Sequence, residues 1–168
     1  MKKLKRLTPL FFMLFLVGCA GQSRLIDGQL ETVTNEVLEY YLYYPEGYEE
    51  SGEDESFGLL LFLHGGGEAG GQLTEVKKHG PPKMMAEGYP FPFLVLAPQN
   101  PNKRKWWNIE AVNQLLDSVV AANKVDKKRI YLTGLSRGGS AAWDLAVQYP
   151  DKWAALAVVC GMAPTPYA

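Results

Sequence analysis

Read along the chain, apolar residues fall into short blocks separated by polar, glycine- and proline-rich punctuation. EVLEYYLYYPEG, residues 36–47, is rich in tyrosine and closed by Pro-Glu-Gly, and it predicts a strand. FGLLLFLHGGG, residues 57–67, is apolar on both faces until His64 and three glycines end it. A run of that kind suits a central parallel strand covered on both sides. FPFLVLAPQ, residues 91–99, has the same character. Between these two runs, GQLTEVKKHGPPKMMAEG predicts a short helix that breaks before Pro81-Pro82. In NIEAVNQLLDSVVAAN, Ile109, Val112, Leu116 and Val119-Val120 recur at helical spacing behind Asn108, a suitable cap. Asp126 opens a turn into the strand RIYLTG; SRGGSAAWDLAVQY then predicts a helix stopped by Pro150, and KWAALAVVCG a last strand. YEESGEDESFG reads as a surface loop.

The resulting order is strand, strand, helix, strand, helix, strand, helix, strand. Such alternation argues an α/β protein, a mostly parallel sheet with helices on both faces joined by right-handed crossovers. At 168 residues the chain can bury one sizeable core. An apolar fraction of 47% and a charged fraction of 21% are ordinary for a globular domain.

The N-terminus stands apart. MKKLKR is basic, LTPLFFMLFLV is apolar but short for a membrane helix, and LVGC ends the run. Small residues before a cysteine resemble the bacterial lipobox, which implies removal of residues 1–18 and lipid attachment at Cys19. The protein would then sit lipid-anchored in the cell envelope outside the cytoplasm, on the outer membrane where there is one. An ordinary signal peptide or an uncleaved anchor are the alternatives. Residues 19–36 read as tether and lead-in, and 37–168 as the folded domain. The formal charge is −1 overall; with the four N-terminal cations removed the remainder carries about −5. NKRK at 102–105 is the one further basic tract, so nucleic acid is not an expected partner, and no obligate protein partner is implied. Cys160, inside AALAVVCG, reads as a small buried hydrophobe. No disulfide framework, metal-ligand spacing or cofactor motif is present.

Candidate chemistry gathers at GLSRG, residues 134–138, a G-x-S-x-G pattern between a predicted strand and a predicted helix. Side chains flanking the serine would collide with strand and helix, so glycines belong there. The turn would lift the Ser136 hydroxyl above the strand ends, near the helix N-terminus. A nucleophilic serine needs an oxyanion hole. The backbone N–H of Arg137 is one donor, and Gly66 or Gly67 of HGGG would supply the other. His64 is better suited to holding that loop than to acting as base. His79, in KKHGPP, suits a surface or loop-packing role. Trp106 and Trp107 follow a strand's C-terminal end, where one could wall a cleft or both could fill the core.

With LFLHGGGEAG, KKHGPPKM, FLVLAPQ with its following Trp-Trp, and VDKKRIYLTGLSRGGSAAWDLAVQYPDKWAA together, the chain resembles the α/β-hydrolases. More narrowly it resembles secreted esterases and predicted peptidases near polyhydroxybutyrate depolymerases and feruloyl esterases. The resemblance implies a serine carboxylic ester hydrolase working through an acyl-enzyme at Ser136 on a small or polymeric ester. A serine peptidase of the same fold, or a catalytically inactive ligand-binding lipoprotein, are the alternatives. Members commonly carry Met where Arg137 stands, a change that touches the pocket and not the backbone donor. The resemblance also implies two later strands bearing an Asp and a His. After Ser136 this sequence has no histidine, and its carboxylates there are Asp144 and Asp151. The 168 residues are thus expected to match the first two-thirds of such an enzyme, truncated at the C-terminus and inactive as they stand.

Overall fold

A computed structural model describes residues 21–163. The basic n-region, the apolar run and Cys19 lie outside the described residues. Six strands form one sheet: β1 (Arg24–Glu31), β2 (Val37–Tyr44), β3 (Phe57–Leu63), β4 (Leu94–Pro98), β5 (Val125–Leu135) and β6 (Ala155–Val159). Three α-helices accompany them: α1 (Gly80–Ala86), α2 (Ile109–Ala122) and α3 (Arg137–Gln148). The sheet order is β1-β2-β4-β3-β5-β6. β1 and β2 are antiparallel, as are β2 and β4; the β4-β3-β5-β6 block is parallel. This is the topology of an α/β-hydrolase sheet.

The continuous apolar runs are explained by two-sided burial. Along β3, Leu59, Leu61 and Leu63 face the main core, while Leu60 and Phe62 turn to smaller clusters on the other face. Along β4, Leu94 and Leu96 join the main core, and Val95 and Ala97 the opposite side. The main core is closed by α2, through Ala111, Val112, Leu115, Leu116 and Val119, and by α3, through Ala141, Ala142 and Leu145. Val76 and Met85, from the 3-10 turn Leu73–Lys78 and from α1, cover the other face. Asn108 caps α2 as its position predicts, its side chain accepting from the Ala111 N–H at 3.1 Å.

Three elements differ from the sequence reading. Residues 24–31, taken there as lead-in, form β1 and pair with β2 over the whole of that strand. Their alternation of half-buried and exposed positions is that of an edge strand with one face on the protein, which carries too few large apolar residues to stand out. Pro81-Pro82 do not break a helix: they start α1, where a missing N–H costs nothing and the fixed φ suits the first turn. Val125–Leu135 is one strand that includes Asp126, whose side chain accepts from the Lys128 N–H at 2.9 Å. β6 has the expected parallel pairing with β5, and as the edge of the described sheet it leaves Val159 53% exposed.

Leu96 is fully buried in the middle of the sheet. Leu96→Ala is expected to lower the unfolding free energy by about 2–5 kcal/mol, against less than about 0.5 for Val33→Ala at an exposed turn position. Urea titrations of the two variants check this.

Candidate active site

The C-terminal ends of β3, β4 and β5 lie side by side in the sheet, and the candidate residues stand on the loops that leave them. Ser136 follows β5 directly and precedes the first residue of α3. Its backbone has φ 53° and ψ −115°, a region that β-carbon sterics disfavour. Such a conformation costs about 1–3 kcal/mol and persists only where its surroundings impose it. They do so here through backbone. The Ser136 N–H donates to the Val159 carbonyl at 2.8 Å, and the Ser136 carbonyl accepts from Ser140 N–H at 3.0 Å. A Cβ on Gly134 would strike the Gly138 carbonyl, and one on Gly138 would strike the carbonyls of Leu63 and His64. A Cβ on Gly139 would come within 2.9 Å of Gly161 Cα. The glycines are therefore what lets the strand, the helix and the loop after β3 meet, with Ser136 exposed at the apex.

Of the three loop glycines, Gly65 is nearest the serine. A Cβ there would stand 3.7 Å from Ser136 Cβ, whereas Gly67 faces open space. Gly66 lies under the Arg137 guanidinium, 2.6 Å from where its Cβ would be. The arginine is held in that position by bonds from Nη1 to the carbonyls of Lys103 (3.0 Å) and Lys105 (3.1 Å). Sequence reasoning singled out the Arg137 backbone alone; the side chain, an organiser of the loop after β4, was legible only as an unusual charge beside the serine.

His64 is 1% exposed. Its Nδ1–H donates to the Gly65 carbonyl at 2.7 Å, and Nε2 accepts from the Asn100 N–H at 3.0 Å. Both nitrogens are engaged by backbone, so the ring ties the loop after β3 to the loop after β4. Burial holds its pKa below the ordinary histidine value, partly offset by the Gly65 carbonyl and by Glu68, whose carboxylate is 3.9 Å from Nδ1. Glu68 is itself buried, and its other oxygen lies 3.4 Å from His79 Nε2, so His79 bears on the loop from outside. Gln99 adds a third tie, its amide nitrogen donating to the Glu68 carbonyl at 2.9 Å and the Gln72 carbonyl at 3.1 Å. Neither Glu68 nor Gln99 carries a sequence signal beyond proximity to the glycine run.

Trp107 is buried in the main core with its ring centroid 4.8 Å from that of His64. Trp106 points outward and is 63% exposed. Cys160 is exposed, not buried: it follows β6 with φ 47°, where the chain turns away from the sheet. Asp144 lies within α3, its pKa raised by burial, and Asp151 in the 3-10 turn Pro150–Lys152; neither follows a strand. Among the described residues no three His, Cys, Asp or Glu side chains gather as a metal-binding group.

The profile of the family described as Esterase PHB depolymerase matches residues 38–165. The chain belongs to that esterase family. Poly(3-hydroxyalkanoate) depolymerase C of Paucimonas lemoignei is 35% identical over 51 residues, 30% of this chain and 12% of the depolymerase. Among solved structures, a thermostable esterase superposes with a TM-score of 0.68 at 24% identity, over 84% of this chain and 42% of its own. An acetyl xylan esterase from Aspergillus awamori gives a TM-score of 0.60 at 20% identity, over 85% of this chain and 53% of its own. The likeness to both structures is one of fold. The chain thus spans about half the length of these two esterases, or less.

Because His64 is buried with a lowered pKa, the unfolded chain takes up its proton first on acidification. The stability it contributes is complete above about pH 6.5, the unfolded value, and is lost as pH falls from there towards the folded value. Urea midpoints at several pH values across that range should therefore fall more steeply for the natural protein than for His64→Asn.

Proposed function

We propose that the protein is a serine carboxylic ester hydrolase in which Ser136 is the nucleophile. The observation that carries this reading is the disfavoured backbone of Ser136 at the strand-to-helix turn, exposed beside the glycine loop after β3. Membership of the esterase family supports it. The hydroxyl would add to the ester carbonyl carbon, and the N–H of Arg137 with an N–H of the Gly65–Gly67 stretch would receive the oxyanion. Collapse of the tetrahedral intermediate would expel the alcohol and leave an acyl-serine, which water cleaves to the acid and free serine. His64 acts in this reading as a positioning residue, since both its nitrogens serve backbone partners.

A serine hydroxyl needs a base to take its proton. His64 is engaged, and His79 contacts Glu68. The reading therefore assigns no base among the described residues; the chain spans 42% of the thermostable esterase. The location goes with the reading too: LVGC at 16–19 supports lipid attachment to Cys19 and an ester substrate met outside the cytoplasm.

A fluorophosphonate probe should label the full natural protein once, at Ser136, and leave Ser136→Ala unlabelled. Turnover of a short-chain p-nitrophenyl ester should fall by about 10⁴–10⁶ in that variant. Labelling at another residue, or turnover that survives the substitution, would sink the assignment. Mass spectrometry of the mature N-terminus should find a lipid-modified Cys19; an unmodified cysteine rejects the anchor.

A further inference from the structure

The basic tract at 102–105 has no part in the fold's core or in the chemistry above. Lys103, Arg104 and Lys105 are all exposed, and none forms an ion pair among the described residues. Unpaired surface cations are common, and alone they would say little. Here their backbone is fixed at one place. The Asn102 N–H donates to the Asn100 side chain at 3.0 Å, and the Arg104 N–H to the Asn102 side chain at 3.1 Å. The carbonyls of Lys103 and Lys105 both accept from Arg137, the residue next to Ser136. On the far side Lys103 abuts Gly70, where a Cβ would come within 2.6 Å of its nitrogen.

The backbone of three cationic residues is thereby fixed beside a fourth, Arg137, whose guanidinium covers Gly66 beside the serine. The nearest carboxylate of the loop after β3, Glu68, is buried and turned to His64 and His79, so it does not neutralise these cations. Trp106 continues the tract as an exposed indole. In a protein whose formal charge is −1, this is a local field of one sign at the mouth of a candidate site. A guanidinium fork and mobile ammonium groups are the chemistry that recognises a carboxylate. The indole offers an apolar face to the body of the same molecule.

We infer that the rim formed by Lys103, Arg104, Lys105 and Arg137 selects esters that carry a carboxylate on the acyl or the alcohol side. This rests on the esterase reading, and it adds the substrate class. The substrate's carboxylate meets the rim while its ester carbonyl reaches Ser136.

The test is binding, so that it does not depend on turnover. In full-length protein carrying Ser136→Ala, titrate monoethyl succinate (carboxylate on the acyl side), acetoxyacetate (carboxylate on the alcohol side) and ethyl butyrate (neutral), following the ligand by NMR. At low salt at least one carboxylated ester should bind about tenfold more tightly than ethyl butyrate. The advantage should vanish in roughly 0.5 M salt, where screening reaches only a few ångströms. It should vanish also in Lys103→Gln/Arg104→Gln/Lys105→Gln, with ethyl butyrate unchanged. Which carboxylated ester gains tells which side of the ester faces the rim. Equal binding of all three, no binding of either anion, or an advantage that survives both salt and the triple substitution overturns the inference. Failure of the esterase reading is read separately, as absence of fluorophosphonate labelling at Ser136.

Discussion

The closeness of four backbone segments around Ser136 is the constraint on which the rest depends. The end of β5, the start of α3, the loop after β3 and the turn after β6 come together with no room for a side chain at Gly134, Gly138, Gly139 or Gly161. That contact fixes where α3 begins and how near it lies to the sheet. It also fixes the backbone of Ser136, because the Val159 carbonyl receives its N–H only in this turn. The conformational cost, about 1–3 kcal/mol, is offset by the packing of Ala141, Ala142 and Leu145 into the main core just beyond. A looser turn would relieve the serine and unseat the helix.

A second set of constraints acts between loops. His64, Gln99 and Asn100 are all nearly inaccessible; His64 and Gln99 use their side chains to satisfy backbone groups of a neighbouring loop, and Asn100 those of its own loop. Buried loop backbone must find partners, and side chains supply them where no strand or helix can. A neutral imidazole fits this position because it presents one donor and one acceptor in opposite directions. Protonation would turn the acceptor into a second donor facing the Asn100 N–H, so that bond and burial favour the neutral ring, while the Gly65 carbonyl and Glu68 act the other way. The loop's rigidity thus depends on a group that its own burial keeps uncharged.

The sheet and helices were legible because most elements carry strong local patterns. β3 and β4 are apolar throughout since both faces are covered, and α2 shows its buried face at helical spacing. β1 escaped because an edge strand needs few large apolar residues, and RLIDGQLE has only three. The prolines of α1 were misread because Pro both ends helices and begins them, and spacing alone does not distinguish the two. Cys160 was misread because AALAVV looks like an interior strand, while β6 is the edge of the described sheet. At the site, the pentapeptide and HGGG were visible since their glycines answer a steric demand. The ties from Gln99 and the Arg137 side chain were not, since they join residues about thirty positions apart through geometry that no local pattern encodes.

Arg137 shows how these two sets of constraints meet in one residue. Its backbone opens α3 directly after the strained serine, and its side chain reaches across to the loop after β4. The path of the guanidinium runs over Gly66, and any side chain there would occupy the same space. Gly66 is therefore matched to the arginine, whose guanidinium would have to move for a side chain there. A residue with an apolar side chain at 137 would keep the same backbone N–H but would leave the carbonyls of Lys103 and Lys105 without that donor, and the basic tract without its anchor. The Ser136 turn and the basic tract at 102–105 are consequently coupled through a single side chain. Substitutions at 66 and 137 should then be non-additive, as expected of residues in direct contact.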